Sequence, residues 1–180
     1  MTLDNFADDI VTLLGQLGID EADLFGYSLG GSVSLAVLTR YPNLVGKLVL
    51  ASTPTRPDDF ASDGQIAPDR MPTAADGQLW EEEYRRVAPD PDRFGELIAR
   101  LTPMVGAIKG WSSEGLRAIR APTLILIGDK DFISIEYAAQ MLDLIPSAQL
   151  AVLPGTTHVG MTRRPDQVLA MVVPFLEAST

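Results

Sequence analysis

The stretch Ala22-Asp23-Leu24-Phe25-Gly26-Tyr27-Ser28-Leu29-Gly30-Gly31 decides the fold. Ala22 to Tyr27 reads as a short buried strand. From Ser28 to Tyr41 the chain is free of internal proline and rich in helix formers, and Pro42 follows at its end. Strand, sharp turn and helix in immediate succession place G-x-S-x-G in the context its chemistry requires. So tight a turn forces Ser28 into a strained backbone conformation, while the flanking glycines let strand and helix approach. The hydroxyl then stands clear at the carboxyl end of the sheet. A serine at this position could also be a simple helix N-cap; the preceding strand and the additional Gly31 favour the chemical reading.

Outward from this turn the pattern continues. Leu3, Phe6, Ile10, Leu13, Leu14 and Leu17 recur at helical steps before Gly18, giving an amphipathic first helix. The runs Lys47–Ala51 and Thr123–Ile127 are continuously apolar, as strands covered on both faces of a parallel sheet are. A further strand, Gln149–Leu153, follows a helical stretch from Ser134 to Leu144, and a helix from Pro165 to Glu177 closes the pattern. About four strands alternate with helices, so the fold class is α/β with a parallel sheet.

Pro57 to Asp92 breaks the rhythm with ten acids against three arginines, and five prolines. Helices are predicted around Gln78–Val87 and Asp92–Leu101. The flanking strands are too far apart for an ordinary crossover, so the chain divides into core residues 1–56, a mainly helical cap insertion at 57–118, and core residues 119–180.

Composition narrows the function. The 180 residues are 46% hydrophobic and 21% charged, the balance of a globular domain. With 24 acids against 14 bases the net charge is −10, which repels nucleic acid and anionic membrane surfaces. The absence of cysteine excludes disulfides, thiolate metal sites and cysteine nucleophiles, and one histidine leaves little basis for a metal site. No cofactor is expected, and neither a membrane span nor a secretion signal is evident, so the expectation is a cytoplasmic protein acting on a small molecule.

A serine hydroxyl needs a base to become a nucleophile, usually an imidazole oriented by a third group. His158, the one imidazole, lies in Pro154-Gly155-Thr156-Thr157-His158-Val159-Gly160, directly after the last strand and on the same sheet edge as Ser28. After Thr123–Ile127 comes Gly128-Asp129-Lys130-Asp131, and either carboxylate could orient the imidazole. Asp131 is preferred because it lies further out on the loop, whereas Asp129 is placed to brace the turn. The loop Ser52-Thr53-Pro54-Thr55-Arg56 contains no acid.

The motifs GYSLGG, PTLILIGDKD and LPGTTHVG, in the order Ser28, Asp131, His158, make the chain resemble an α/β-hydrolase fold protein with a cap. The resemblance spans nearly the whole chain and supports Asp131 through the family's G-x-x-D pattern. It implies esterase, lactonase, carbon–carbon-bond hydrolase or perhydrolase chemistry through an acyl-enzyme, without choosing among them, and the N–H of Leu29 as an oxyanion donor. Trp80, Tyr84, Met104, Trp111 and Val159 are candidate pocket residues. The family's sheet has strands ahead of the nucleophile strand, one of whose loops supplies the second oxyanion donor; no such strands are encoded here. The expectation is therefore a fragment, or a short form of weak activity, or a binding protein on a hydrolase scaffold. The nucleophile strand should be an exposed edge, open to homodimerisation.

Overall fold

A computed structural model describes residues 1–54 and 68–179. Its strands are β1 (Ala22–Tyr27), β2 (Val45–Ala51), β3 (Thr123–Gly128) and β4 (Ala148–Leu153). The helices are α1 (Leu3–Gln16), α2 (Leu29–Arg40), α3 (Ala74–Val87), α4 (Phe94–Gly106), α5 (Ser113–Arg117), α6 (Ile135–Leu144), α7 (His158–Thr162) and α8 (Pro165–Glu177). The strands form one sheet in the order β1-β2-β3-β4, and every neighbouring pair is parallel.

The continuous apolar runs are explained by helices on both faces. Alternate side chains of a strand point to opposite sides. Leu48 and Leu50 of β2 and Ile125 and Ile127 of β3 share a core with Leu35 and Val37 of α2 and Ala138 and Met141 of α6. Val49, Ala51, Leu124 and Leu126 share another with Val168, Val172 and Phe175 of α8. Lys47, next to these residues, sends its Nζ to the carbonyls of Leu176 at 2.5 Å and Ala178 at 2.6 Å, satisfying the C-terminal end of α8.

The periodic stripe of α1 is only partly used. Ala7 is fully buried, with Leu3, Ile10 and Val11 against the same core, but Leu13 and Leu17 are exposed. The apolar stripe runs beyond the turns that meet the core. β1 has no partner on its outer side among the described residues, and Phe25 there is 50% exposed.

Among the described residues between β2 and β3 the chain is mainly helical; residues 55–67, which include the start of the insertion expected at 57–118, lie outside the described part. Helix α3 begins four residues before the expected Gln78. A capping box sets the start: Asp76 accepts the Thr73 N–H at 2.7 Å, and the Thr73 hydroxyl accepts the Asp76 N–H at 3.3 Å. Helix α4 runs past Pro103 to Gly106. A short helix also replaces the expected loop around His158, where the Thr157 hydroxyl caps α7 by accepting the Gly160 N–H at 3.0 Å.

Candidate active site

The turn between β1 and α2 has the strain its sequence predicts: Ser28 has φ 52° and ψ −118°. Such a conformation costs a non-glycine residue about 1–3 kcal/mol and persists only where its surroundings enforce it. Here the Ser28 N–H donates to the Ala51 carbonyl at 2.8 Å, and the N–H groups of Gly31 and Ser32 return to the Ser28 carbonyl. A Cβ at Gly26 would collide with the Gly31 backbone, and one at Gly31 with the Thr53 side chain. Gly30 differs, since a Cβ there would meet nothing within 4 Å. Close approach of strand and helix therefore rests on Gly26 and Gly31.

Ser28, His158 and Asp131 are brought together from three elements. His158 Nε2 is 2.9 Å from Ser28 Oγ, and Nδ1 is 3.0 Å from Asp131 Oδ1 and 3.3 Å from Oδ2. Asp131 is 1% exposed and His158 5%. With Nδ1–H donated to the carboxylate, Nε2 is left to accept the serine proton. The loops that carry Asp131 and His158 are held together by backbone: the Lys130 N–H donates to the Thr156 carbonyl at 3.0 Å, and that carbonyl occupies the space a Gly128 side chain would need.

Asp129 accepts the N–H of Thr156 at 3.2 Å, so it braces the neighbouring histidine loop instead of its own turn. Its carboxylate is thereby committed to a backbone two residues from His158, while Asp131 reaches the imidazole.

Two aromatic rings pack against the imidazole. Phe132 stacks on it at 4.2 Å between centroids, and the Tyr27 ring lies 5.1 Å away at a tilt of 38°. The Tyr27 hydroxyl donates to the His158 carbonyl at 2.9 Å. Burial, reinforced by the charges of Asp131 and Asp76, pushes this phenol above its ordinary range and keeps it a donor. Sequence reading missed these packing roles and missed Ser52, whose hydroxyl donates to Asp131 Oδ2 at 2.6 Å. Thr55 and Arg56 of that loop lie outside the described residues.

Leu29 opens α2, so its N–H is one of that helix's N-terminal donors without an intrahelical acceptor, beside the serine. Val159 follows His158 in α7 and is buried. Trp80 is exposed, and Tyr84 packs on Phe94 at 5.5 Å and borders a cavity with Pro89, Arg93 and Leu97. Met104 is buried beside a cavity shared with Met1, Leu3 and Ile108, and Trp111 packs on the core that holds Leu35. Helix α3 is tied to α7 through Arg163, which pairs with Asp76 at 2.5 Å. Among the described residues no group of three or more His, Cys, Asp or Glu could hold a metal ion, and no helix is long and apolar enough to cross a membrane.

Fold and site together define a hydrolase of the α/β type. The Alpha/beta hydrolase family model matches residues 1–171, and the chain belongs to that family. It is 26% identical to the sn-1-specific diacylglycerol lipase ABHD11 of Danio rerio, over 98% of this chain and 64% of the lipase. It is 27% identical to the 2-hydroxy-6-oxo-2,4-heptadienoate hydrolase of Pseudomonas putida, over 98% of this chain and 71% of that enzyme. Its fold is similar to that of the meta-cleavage product hydrolase CumD from Pseudomonas fluorescens IP01, with a TM-score of 0.75 and 22% identity over 98% of this chain and 72% of that one. The chain thus spans between 64% and 72% of the length of these three proteins.

Proposed function

We propose that the chain carries the reaction centre of a serine hydrolase acting on a small carboxylic ester or related acyl compound. The observation that carries this reading is the single imidazole held between a nucleophile and a buried acid, Nε2 at 2.9 Å from Ser28 Oγ and Nδ1 at 3.0 Å from Asp131. The lipase and dienoate hydrolase relatives support it as members of the same family.

In this mechanism Ser28 Oγ attacks the substrate carbonyl carbon as its proton passes to His158 Nε2. Asp131 remains ionised and stabilises the imidazolium. The carbonyl oxygen becomes an oxyanion, and the Leu29 N–H at the positive end of α2 donates to it. Collapse breaks the bond to the leaving alcohol, which takes the proton from His158 and leaves an acyl group on Ser28. Water then attacks that carbonyl while His158 accepts its proton. Breakdown of the second tetrahedral species returns the proton to Ser28 and releases the acid.

The test is active-site titration with an activated phosphonate ester, followed by intact-mass measurement and hydrolysis of a short acyl ester. One phosphonyl group per chain, absent in Ser28→Ala, is expected. A wild-type protein that neither takes the label nor hydrolyses the ester would favour a binding role for the scaffold.

A further inference from the structure

We infer that Ser52 is a positioning residue for the acid of this site, setting the orientation of the Asp131 carboxylate that His158 meets. The inference rests on the proposed hydrolase reading for its kinetic consequence, but not for its structural one. Ser52 is the first residue after β2 and is 1% exposed. Its φ of 47° makes it, with Ser28, one of two non-glycine residues at positive φ among the described residues.

A serine in a turn ordinarily uses its hydroxyl on nearby backbone. Ser52 instead donates its one hydroxyl proton to Asp131 Oδ2 at 2.6 Å, a residue 79 positions away. The Ser52 hydroxyl also lies 3.6 Å from the Met161 sulfur, a weak acceptor that cannot compete with a carboxylate for the proton. The backbone is fixed independently, since the Ser52 N–H donates to the Leu126 carbonyl of β3 at 2.8 Å. The ladder thus holds Ser52 in a conformation glycine would adopt at no cost, and the hydroxyl is what glycine lacks.

The Asp131 carboxylate gains three fixed donors. Oδ1 accepts the Ile133 N–H at 3.0 Å and imidazole Nδ1 at 3.0 Å, and Oδ2 accepts Ser52 Oγ. Ile133 and Ser52 pin the carboxylate from opposite ends, so Oδ1 is presented to the imidazole without free rotation. Nδ1 also lies 3.3 Å from Oδ2, so a carboxylate freed from the Ser52 hydroxyl can turn and share the Nδ1–H between its two oxygens. The other ionisable groups nearby are Tyr27 on the His158 carbonyl, Arg70 on the Asp131 carbonyl, and the Asp76–Arg163 pair at the end of α7; none touches the Ser52 hydroxyl.

Because His158 is the one histidine of the chain, the resonance of its Nδ1–H can be followed by NMR without any activity. Ser52→Ala removes the hydroxyl, and Ser52→Gly removes it while relieving the positive φ, so the glycine variant remains informative if the alanine variant does not fold. In the folded variants that resonance should move from its wild-type position, and the loss in hydrolysis should fall on kcat with KM little changed. Ester hydrolysis per phosphonate-titrated site should fall about 10- to 100-fold, the range of losing a hydrogen bond to a charged group. An Nδ1–H resonance in Ser52→Gly at its wild-type position would overturn the inference. If the resonance moves while wild type neither labels nor hydrolyses, the pairing of Ser52 with Asp131 and His158 stands and the hydrolase reading falls.

Discussion

Asp129 and Asp131 are two residues apart and bind opposite parts of one loop: Asp129 takes the Thr156 N–H at 3.2 Å, and Asp131 takes the His158 imidazole at 3.0 Å. The pair separates orientation of the imidazole from support of its backbone. Asp131→Asn should lower kcat by about 10⁴, because an amide in place of the carboxylate disfavours the tautomer that leaves Nε2 free to accept. Asp129→Asn keeps an acceptor oxygen and should cost less than about tenfold in rate and about 1 kcal/mol in stability. Kinetics on a short acyl ester and thermal unfolding of both variants decide this; a larger rate loss at Asp129 would reverse the assignment.

Ser28 pays for its position in backbone strain. Glycine is ordinarily less stable than alanine in a structured segment by about 0.5–1 kcal/mol. At φ 52° and ψ −118° the order should invert, with Ser28→Gly more stable than Ser28→Ala by about 1 kcal/mol. Both variants should fail to react with the phosphonate. Urea midpoints compare the two directly, and an alanine variant as stable as the glycine one would mean that the turn is unstrained.

Apolar runs and turn residues carried most of the architecture. Leu48–Ala51 and Thr123–Ile127 are legible as strands because both faces of each are covered, and a strand in that setting needs no polar alternation. The turn at Ser28 is legible because strand, serine and glycines stand together in the chain. The brevity of α7 hides it from periodicity; five residues make little more than one turn, and its start is set by one hydroxyl, that of Thr157. Leu13 and Leu17 share the period of α1 yet remain exposed, since period records a stripe and not how far its partner extends. Ser52 is the least legible. Its hydroxyl acts through a contact with Asp131 that depends on the β2–β3 register.

Gly31 and Gly30 are adjacent and should respond oppositely to alanine. The added carbon at Gly31 meets Oγ1, Cγ2 and Cβ of Thr53, a side chain itself only 5% exposed, so overpacking should cost about 1–3 kcal/mol. At Gly30 it meets nothing, and α2 gains helix propensity of about 0.5–1 kcal/mol. Thermal midpoints measured side by side should move down for Gly31→Ala and stay level or rise for Gly30→Ala. A drop at Gly30 equal to that at Gly31 would show that the open space is filled by another part of the protein.

Asp76 links the start of α3 to the helix that carries His158, and the link should be sensitive to acid. Its carboxylate is held below the ordinary carboxylate range, first by the Thr73 N–H, then by the Thr73 hydroxyl, and further by Arg163. The unfolded chain, with an ordinary carboxyl, takes up a proton at higher pH than the native state does. Stability from these bonds is therefore complete above the ordinary carboxylate value and disappears as pH falls through the lower native one. Asp76→Asn retains an amide oxygen for the cap but loses the charge that Arg163 meets. Its unfolding midpoint should lie below wild type by a constant margin from pH 7 to about pH 5, and the margin should close as the pH drops towards 3. A margin unchanged at pH 3 would mean that the charge of Asp76 is not what joins α3 to α7.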